Sequence, residues 1–226
     1  FLMQEEYPGW MHCINLGATT IWERWNSVLD DGHLSGTMMN SLNHYSYGAI
    51  VEYLYRDVAG LKALEPGFKK ALITPLMNGK LKYMNMTYDS AYGEYKVSWK
   101  VLKDGNVSVD IQVPFGCSAV IGLPFYEGEV TEVAAGSYHY EYRPIEDLRQ
   151  RYNHKTMFKD MMHDPEAMKV IERVSPMLMY FLSTGNQDYF YESLQSLEKL
   201  SYMGFTREIV DNSSAELSKL MDMEEK

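Results

Sequence analysis

Apolar positions along this chain follow three successive patterns. From Phe1 to about Leu64 they recur at helical spacing. Trp22, Trp25, Val28 and Leu29 follow Thr19 or Thr20, either of which can cap a helix, and Asp30-Asp31-Gly32 reads as the stop. Tyr47, Ile50, Val51, Leu54 and Val58 then form an i, i+3, i+4, i+7, i+11 stripe, with Glu52 and Arg56 as an i, i+4 pair and Gly60 as a terminator. This predicts a second helix from near His44. Two helices joined by a Gly/Ser-containing connection make one hairpin of a larger helical assembly, because a lone hairpin buries its stripes poorly.

Between about Glu65 and Tyr142 the period falls to two. Val97, Trp99 and Val101 alternate with Lys96, Ser98 and Lys100, and Val107, Val109, Ile111 and Val113 alternate with Ser108, Asp110 and Gln112. Lys103-Asp104-Gly105-Asn106 between them is a hairpin turn. Short runs at Ala119 to Leu123 and Tyr138 to Tyr142, punctuated by Pro114, Gly116, Pro124 and Gly128, complete the pattern of an antiparallel β-sandwich.

From about Pro144 the text is helical again. Asp164-Pro165-Glu166 supplies a cap, an N1 proline and a first-turn acid, and Ile171, Val174, Leu178 and Phe181 form the stripe that follows, with a kink expected at Pro176. Phe190, Leu194, Leu197 and Leu200, then Ile209 and Val210, then Leu217, Leu220 and Met221 continue a methionine-rich bundle that ends in an acidic, frayed tail. The fold class is thus α+β in several parts: helical over 1–64, a β-sandwich over 65–143 and a small helical bundle over 144–226. The bundle's apolar stripes are expected to cover the sandwich or to mediate self-association, which would give a homo-oligomer.

Composition narrows the partners. A formal net charge of −10 over 226 residues argues against nucleic acid and anionic membrane, and no apolar run approaches the ~18 residues that span a bilayer. Aromatics reach 13%, with eighteen tyrosines and four tryptophans, a surplus that suits sugar rings and ordinary packing alike. Cys13 and Cys117 build neither a disulfide framework nor a zinc signature, so unpaired thiols, no metal and no cofactor are expected. The opening FLMQEEYPGW has neither the basic start nor the apolar core of a signal peptide. It lacks an initiator Met and reads as the middle of a domain, so a fragment is expected, and the unpaired thiols point to the cytoplasm.

Two residues in the first sixty carry candidate chemistry, each with two readings. Thr20-Ile21-Trp22-Glu23 fits a capping box, in which Glu23 only answers an orphan backbone N–H. The flanking tryptophans, however, suit a carboxylate held in an aromatic-walled sugar cleft. His44, in Leu42-Asn43-His44-Tyr45, either caps a helix or donates to a substrate hydroxyl. No second His or Cys at ligand spacing supports a metal.

The ordered runs YPGW (Tyr7 to Trp10), GATTIWERW (Gly17 to Trp25) and SLNHYSYGAIVEYLYRDVAGL (Ser41 to Leu61) resemble the end of the catalytic domain of bacterial α-L-rhamnosidases, glycoside hydrolase family 78. Pro75 to Pro124, with its VSWK strand and VP…SAVIGLP close, resembles that family's C-terminal sandwich. The resemblance covers about Phe1 to Tyr142 and implies the last helices of an (α/α)6 barrel followed by the sandwich. It further implies inverting hydrolysis of terminal α-L-rhamnosyl linkages in rhamnose-containing glycosides, with Glu23 as the general base and His44 against the bound rhamnose. The family's general acid lies upstream of these motifs, so this chain is expected to be inactive alone. Two other classes compete: a non-catalytic carbohydrate-binding or structural sandwich module, and an adaptor suggested by Met203-Gly204-Phe205, a triplet resembling the loop of ubiquitin-associated domains.

Overall fold

The computed structural model describes residues 4–36, 38–78, 81–184 and 187–221. The chain divides into two compact units, 1–145 and 146–226.

In the first unit, helix α1 (Trp10–Asn15) is followed by a long irregular stretch. The helix expected from Thr20 through Leu29 does not form. Its amides are engaged by a distant segment instead of by the preceding turn, with Glu23 N–H donating to Ser41 O at 2.9 Å and His44 N–H to Ile21 O at 2.7 Å. Asp30-Asp31-Gly32 is the tip of a small loop, not a helix stop: Val28 and Leu34 form a bridge around it. Trp22 and Trp25 fit a helical period but are satisfied by burial and ring stacking, tertiary contacts that outweigh a weak local preference.

The second expected helix is present. A 3-10 turn (Ser46–Ala49) leads into α2 (Ile50–Tyr53) and then into a π-helical turn (Leu54–Val58). Arg56 reaches Glu52 at 2.6 Å across one turn. Of the predicted stripe only Val58 is buried, and Val51 remains exposed. Gly60 ends this helix and starts the sheet. Its φ of +77° is left-handed, and a Cβ there would lie 2.2 Å from the Thr74 carbonyl, so only glycine fits.

Strand β1 (Leu61–Ala63) follows at once, ahead of the boundary expected at residue 64, because its pairing with β2 (Lys70–Ile73) begins at Leu61. Strands β6 (Ser118–Ile121) and β7 (Thr131–Val133) complete a sheet of order β1-β2-β6-β7. The other sheet is β3-β4-β5-β8, built from β3 (Tyr83–Ser90), β4 (Gly93–Val101), β5 (Val107–Val113) and β8 (Gly136–Tyr142). Every pairing is antiparallel except that of β2 with β6, which is parallel. The alternation seen in the sequence is the alternation of faces: Tyr95, Val97, Trp99, Val109 and Ile111 are buried while Lys96, Asp110 and Lys100 face water. Tyr142 closes the core by donating to Pro124 O at 2.8 Å, and burial pushes its phenol up to about 12, so it remains a donor.

The second unit has its own core, in which Phe158, Ile171, Leu178, Leu182, Leu194, Phe205 and Leu217 are almost fully buried. Its main helices are α3 (Phe158–Met161), α4 (Pro165–Val174), α5 (Pro176–Ser183), α6 (Leu194–Leu197) and α7 (Arg207–Leu217). Pro176 breaks the expected single helix rather than kinking it. Ser175, restricted by the proline after it, adopts φ −141° and ψ 81°, ends α4, and accepts from Leu178 N–H to start α5. Gly204 takes a left-handed φ and Phe205 enters the core, so this triplet terminates one turn and precedes the Thr206 cap of α7. The acidic tail expected to fray lies outside the described residues.

Asp164 caps α4, accepting from the amides of Glu166 and Ala167, from the Tyr152 hydroxyl at 2.6 Å and from Arg151 at 3.0 Å. Burial works against its charge, but these hydrogen bonds and the Arg151 cation prevail and hold the carboxyl below the usual range. A carboxyl depressed by folding stabilises the fold fully above its unfolded value, about 3.9, and loses that contribution as pH falls through the lower folded value. Asp164→Ala should therefore cost about 1 kcal/mol near neutral pH. Amide exchange in α4 should accelerate accordingly, and the difference from the parent chain should shrink as pH falls below the unfolded carboxyl value of about 3.9.

Candidate active site

Glu23 and His44 lie on two irregular segments, 20–23 and 41–44, that run antiparallel against each other. Besides the two backbone bonds already given, the Thr20 hydroxyl donates to Leu42 O, and Ser41 N–H donates to Glu23 Oε2 at 2.7 Å. Glu23 thus meets Ser41 twice, through its amide and through its carboxylate. Thr20 does not act as an N-cap: its hydroxyl gives a proton to a distant carbonyl and accepts none from its own segment. With no helix here, no helix dipole bears on Glu23. The carboxylate is half-buried, and among the described residues Oε1 takes no hydrogen bond.

The 41–44 segment is returned to this place by a node at Ser27. Ser27 is fully buried, its hydroxyl accepts from Arg24 N–H at 3.1 Å, and its carbonyl accepts from Ser35 N–H and from Asn40 Nδ2. His44 is held by its own N–H to Ile21 O, by Tyr45 stacked on its ring at 5.1 Å, and by Ser46, whose N–H donates to Nδ1 at 3.2 Å. The structure therefore brings the two sequence-predicted site residues onto one paired unit.

Behind this unit stands an aromatic block. Trp25 stacks on Tyr47 at 4.2 Å and 11°, and Trp10 meets Trp25 edge-on at 5.1 Å. Together with Cys13, Ile21 and Trp22 these rings line a cleft of about 220 Å³. Neither Glu23 nor His44 lines it, so the tryptophans flanking Glu23 buttress the segment instead of walling a pocket around the carboxylate. On the sandwich, a second groove of about 260 Å³ lies across β4, β5 and β8, where His139 and Asp110 pair at 2.7 Å. Among the described residues no group of three or more His, Cys, Asp or Glu could hold a metal, and no helix is long and apolar enough to cross a membrane.

Ser41 and Ser46 were not singled out from the sequence, and Tyr47 entered only as part of the helical stripe. The available signal was local: a serine two residues after a histidine, at the start of a predicted helix, is placed to bond the imidazole.

Known proteins match both halves of this unit. Residues 1–58, which include the segments carrying Glu23 and His44, match the bacterial alpha-L-rhamnosidase six-hairpin glycosidase domain. Residues 60–137 match the bacterial alpha-L-rhamnosidase C-terminal domain. Through these residues the chain belongs to the bacterial α-L-rhamnosidase family. It is 44% identical over 134 residues to an alpha-L-rhamnosidase of Alteromonas sp. (strain LOR), and 39% identical over 132 residues to one of Formosa agariphila. These matches take in 59% and 58% of this chain, but the chain spans only 14% of the length of each relative. Among solved structures, it is similar to a Streptomyces avermitilis alpha-L-rhamnosidase complexed with L-rhamnose, with TM-score 0.58, 30% identity and coverage of 63% of this chain and 15% of that one. An Aspergillus terreus alpha-L-rhamnosidase gives TM-score 0.60 at 30% identity, covering 63% and 16% of the two chains.

Thr20→Val removes the hydroxyl that ties the two segments together while keeping the side chain's shape. The loss should be at most about 1 kcal/mol and local. Exchange of the Ser41 and His44 amides should quicken, with strands β3 to β5 unchanged; uniform protection throughout would show that the Thr20 bond does not hold the pair.

Proposed function

We propose that this chain supplies the water-activating half of an α-L-rhamnosidase active site. Glu23 is the general base and His44 a contact to the rhamnose ring. The observation that supports this best is the asymmetric state of the Glu23 carboxylate: Ser41 N–H occupies Oε2, which fixes the orientation of the group, and Oε1 is left to accept a proton. An ionised carboxylate so oriented can take a proton from a water attacking the anomeric carbon. Inversion then requires a second, protonated carboxyl about 6.5–9.5 Å away on the other face of the sugar to release the leaving group. The resemblance puts the family's acid upstream of these motifs, and on this reading that partner comes from elsewhere in a complete glycosidase. The substrates are glycosides that end in α-L-rhamnose, and family membership carries that part of the reading.

Glu23→Gln, made in a full-length rhamnosidase carrying this segment, should lower kcat by about 10²–10⁴-fold, the range for removal of a general base, and leave folding intact. Activity at the parent level would remove Glu23 from the mechanism. The 226-residue chain by itself should not hydrolyse an aryl α-L-rhamnoside. Turnover that disappears in the Glu23→Gln chain would mean that the acid is present within it.

A further inference from the structure

We propose that Ser46 is a positioning residue that holds His44 in the Nε2–H tautomer, which makes the histidine a hydrogen-bond donor, not an acceptor, toward a hydroxyl of the sugar. The inference rests on the reading of His44 as a rhamnose contact, and it adds which ring atom acts, in which protonation state, and what fixes that state.

The argument begins with a group that has no choice. A backbone N–H can only donate, and the Ser46 N–H points at His44 Nδ1 from 3.2 Å. Nδ1 must therefore present its lone pair. A neutral imidazole carries one proton on one of its two nitrogens, so the proton resides on Nε2. The opposite tautomer would set two donors against each other at this distance. The Ser46 hydroxyl, 3.0 Å from the same nitrogen, adds a second contact that can donate to it.

Ser46 is available for this because it opens the helical stretch, in the 3-10 turn Ser46–Ala49, where the first amides have no carbonyl of their own helix to bond. The rest of His44 is restrained as well. Its backbone is tied to Ile21 O, and Tyr45 lies nearly parallel to the imidazole at 12°. Nε2 is the one ring nitrogen left without a partner among the described residues. A donor fixed in direction discriminates between hydroxyl orientations on a sugar, since it loses its bond when the matching oxygen is displaced.

The test has two arms. In the ¹⁵N-labelled chain at a pH about two units above the ordinary imidazole value of ~6.5, long-range ¹H–¹⁵N correlations should show His44 with Nδ1 unprotonated and Nε2 protonated. A His44→Asn chain identifies the signals. Ser46→Pro, which removes the amide donor, should shift His44 toward a mixture of tautomers, whereas Ser46→Ala keeps the backbone N–H and should keep His44 in the Nε2–H form. In a full-length rhamnosidase carrying this segment, Ser46→Pro should raise KM for an aryl α-L-rhamnoside roughly three- to tenfold, the worth of one weakened neutral hydrogen bond, and lower kcat less. A His44 that is mainly Nδ1–H, or a Ser46→Pro enzyme with the parent KM, overturns the proposal. The spectroscopic arm does not depend on activity, so a Glu23→Gln enzyme that stays active would refute the proposed function while the tautomer result stands. Loss of activity in Glu23→Gln together with the wrong tautomer would refute this proposal alone.

Discussion

The double contact between Glu23 and Ser41 organises the first unit. Residues eighteen apart in sequence are joined by an amide-to-carbonyl bond and an amide-to-carboxylate bond, and the second is of the stronger, charge-assisted kind. Closing so long a loop costs chain entropy that grows only slowly with length, so a few fixed points suffice to offset it. Ser27 provides one, with its carbonyl shared by Ser35 and Asn40, and the Trp25–Tyr47 stack provides another by tying the middle of the unit to the helical stretch that follows. Without the clamp, Glu23 and His44 would belong to separate loops.

The sandwich is joined to this unit by geometry as strict as that of the clamp. Ala59 and Gly60 turn the chain from the π-helical turn into β1, and Thr74 N–H and Leu76 N–H bond back to Gly60 O and Val58 O. The end of the helical stretch and the β1–β2 hairpin are thereby laced into one piece. A π turn places its last residues out of the ordinary α register, which suits a helix that must deliver the chain into a strand with no intervening loop. The position of His44 at one end of that stretch is in this way referred to the buried sheet at the other.

Much of this was legible in the sequence, where the deciding forces are local. Alternation in Tyr95 to Val101 and Val107 to Val113 is the imprint of one buried and one wet face, and the strands lie where the period of two put them. The parallel β2–β6 pairing was not legible, because it joins Lys70–Ile73 to a strand some fifty residues later and no local pattern records a partner. The failed helix at 20–29 has a similar cause. Trp22, Trp25, Val28 and Leu29 have helical spacing, yet the bonds that decide their conformation come from 41–44. For the candidate site, the ordered motifs pointed to Glu23 and His44. Their placement on one antiparallel pair depends on long-range amides whose donors, Ser41 and His44, are visible only as residue types.

The tethers also explain how a precise arrangement can be made from segments without regular secondary structure. A side chain on a loop is ordinarily free to sample rotamers, and its reach toward a substrate is blurred. Here each candidate group is fixed by a backbone donor: Ser41 N–H on the Glu23 carboxylate, Ser46 N–H on the His44 ring. Backbone amides carry no rotamer freedom of their own, so once the two segments are paired both groups are oriented at little further entropic cost. The pairing is set in turn by Thr20, Ile21 and Glu23 against Ser41, Leu42 and His44, which places the pattern GATTIWERW and the pattern SLNHYS in one cooperative unit. Loosening any one of these bonds should therefore disturb Glu23 and His44 together, whereas side chains held independently would fail one at a time.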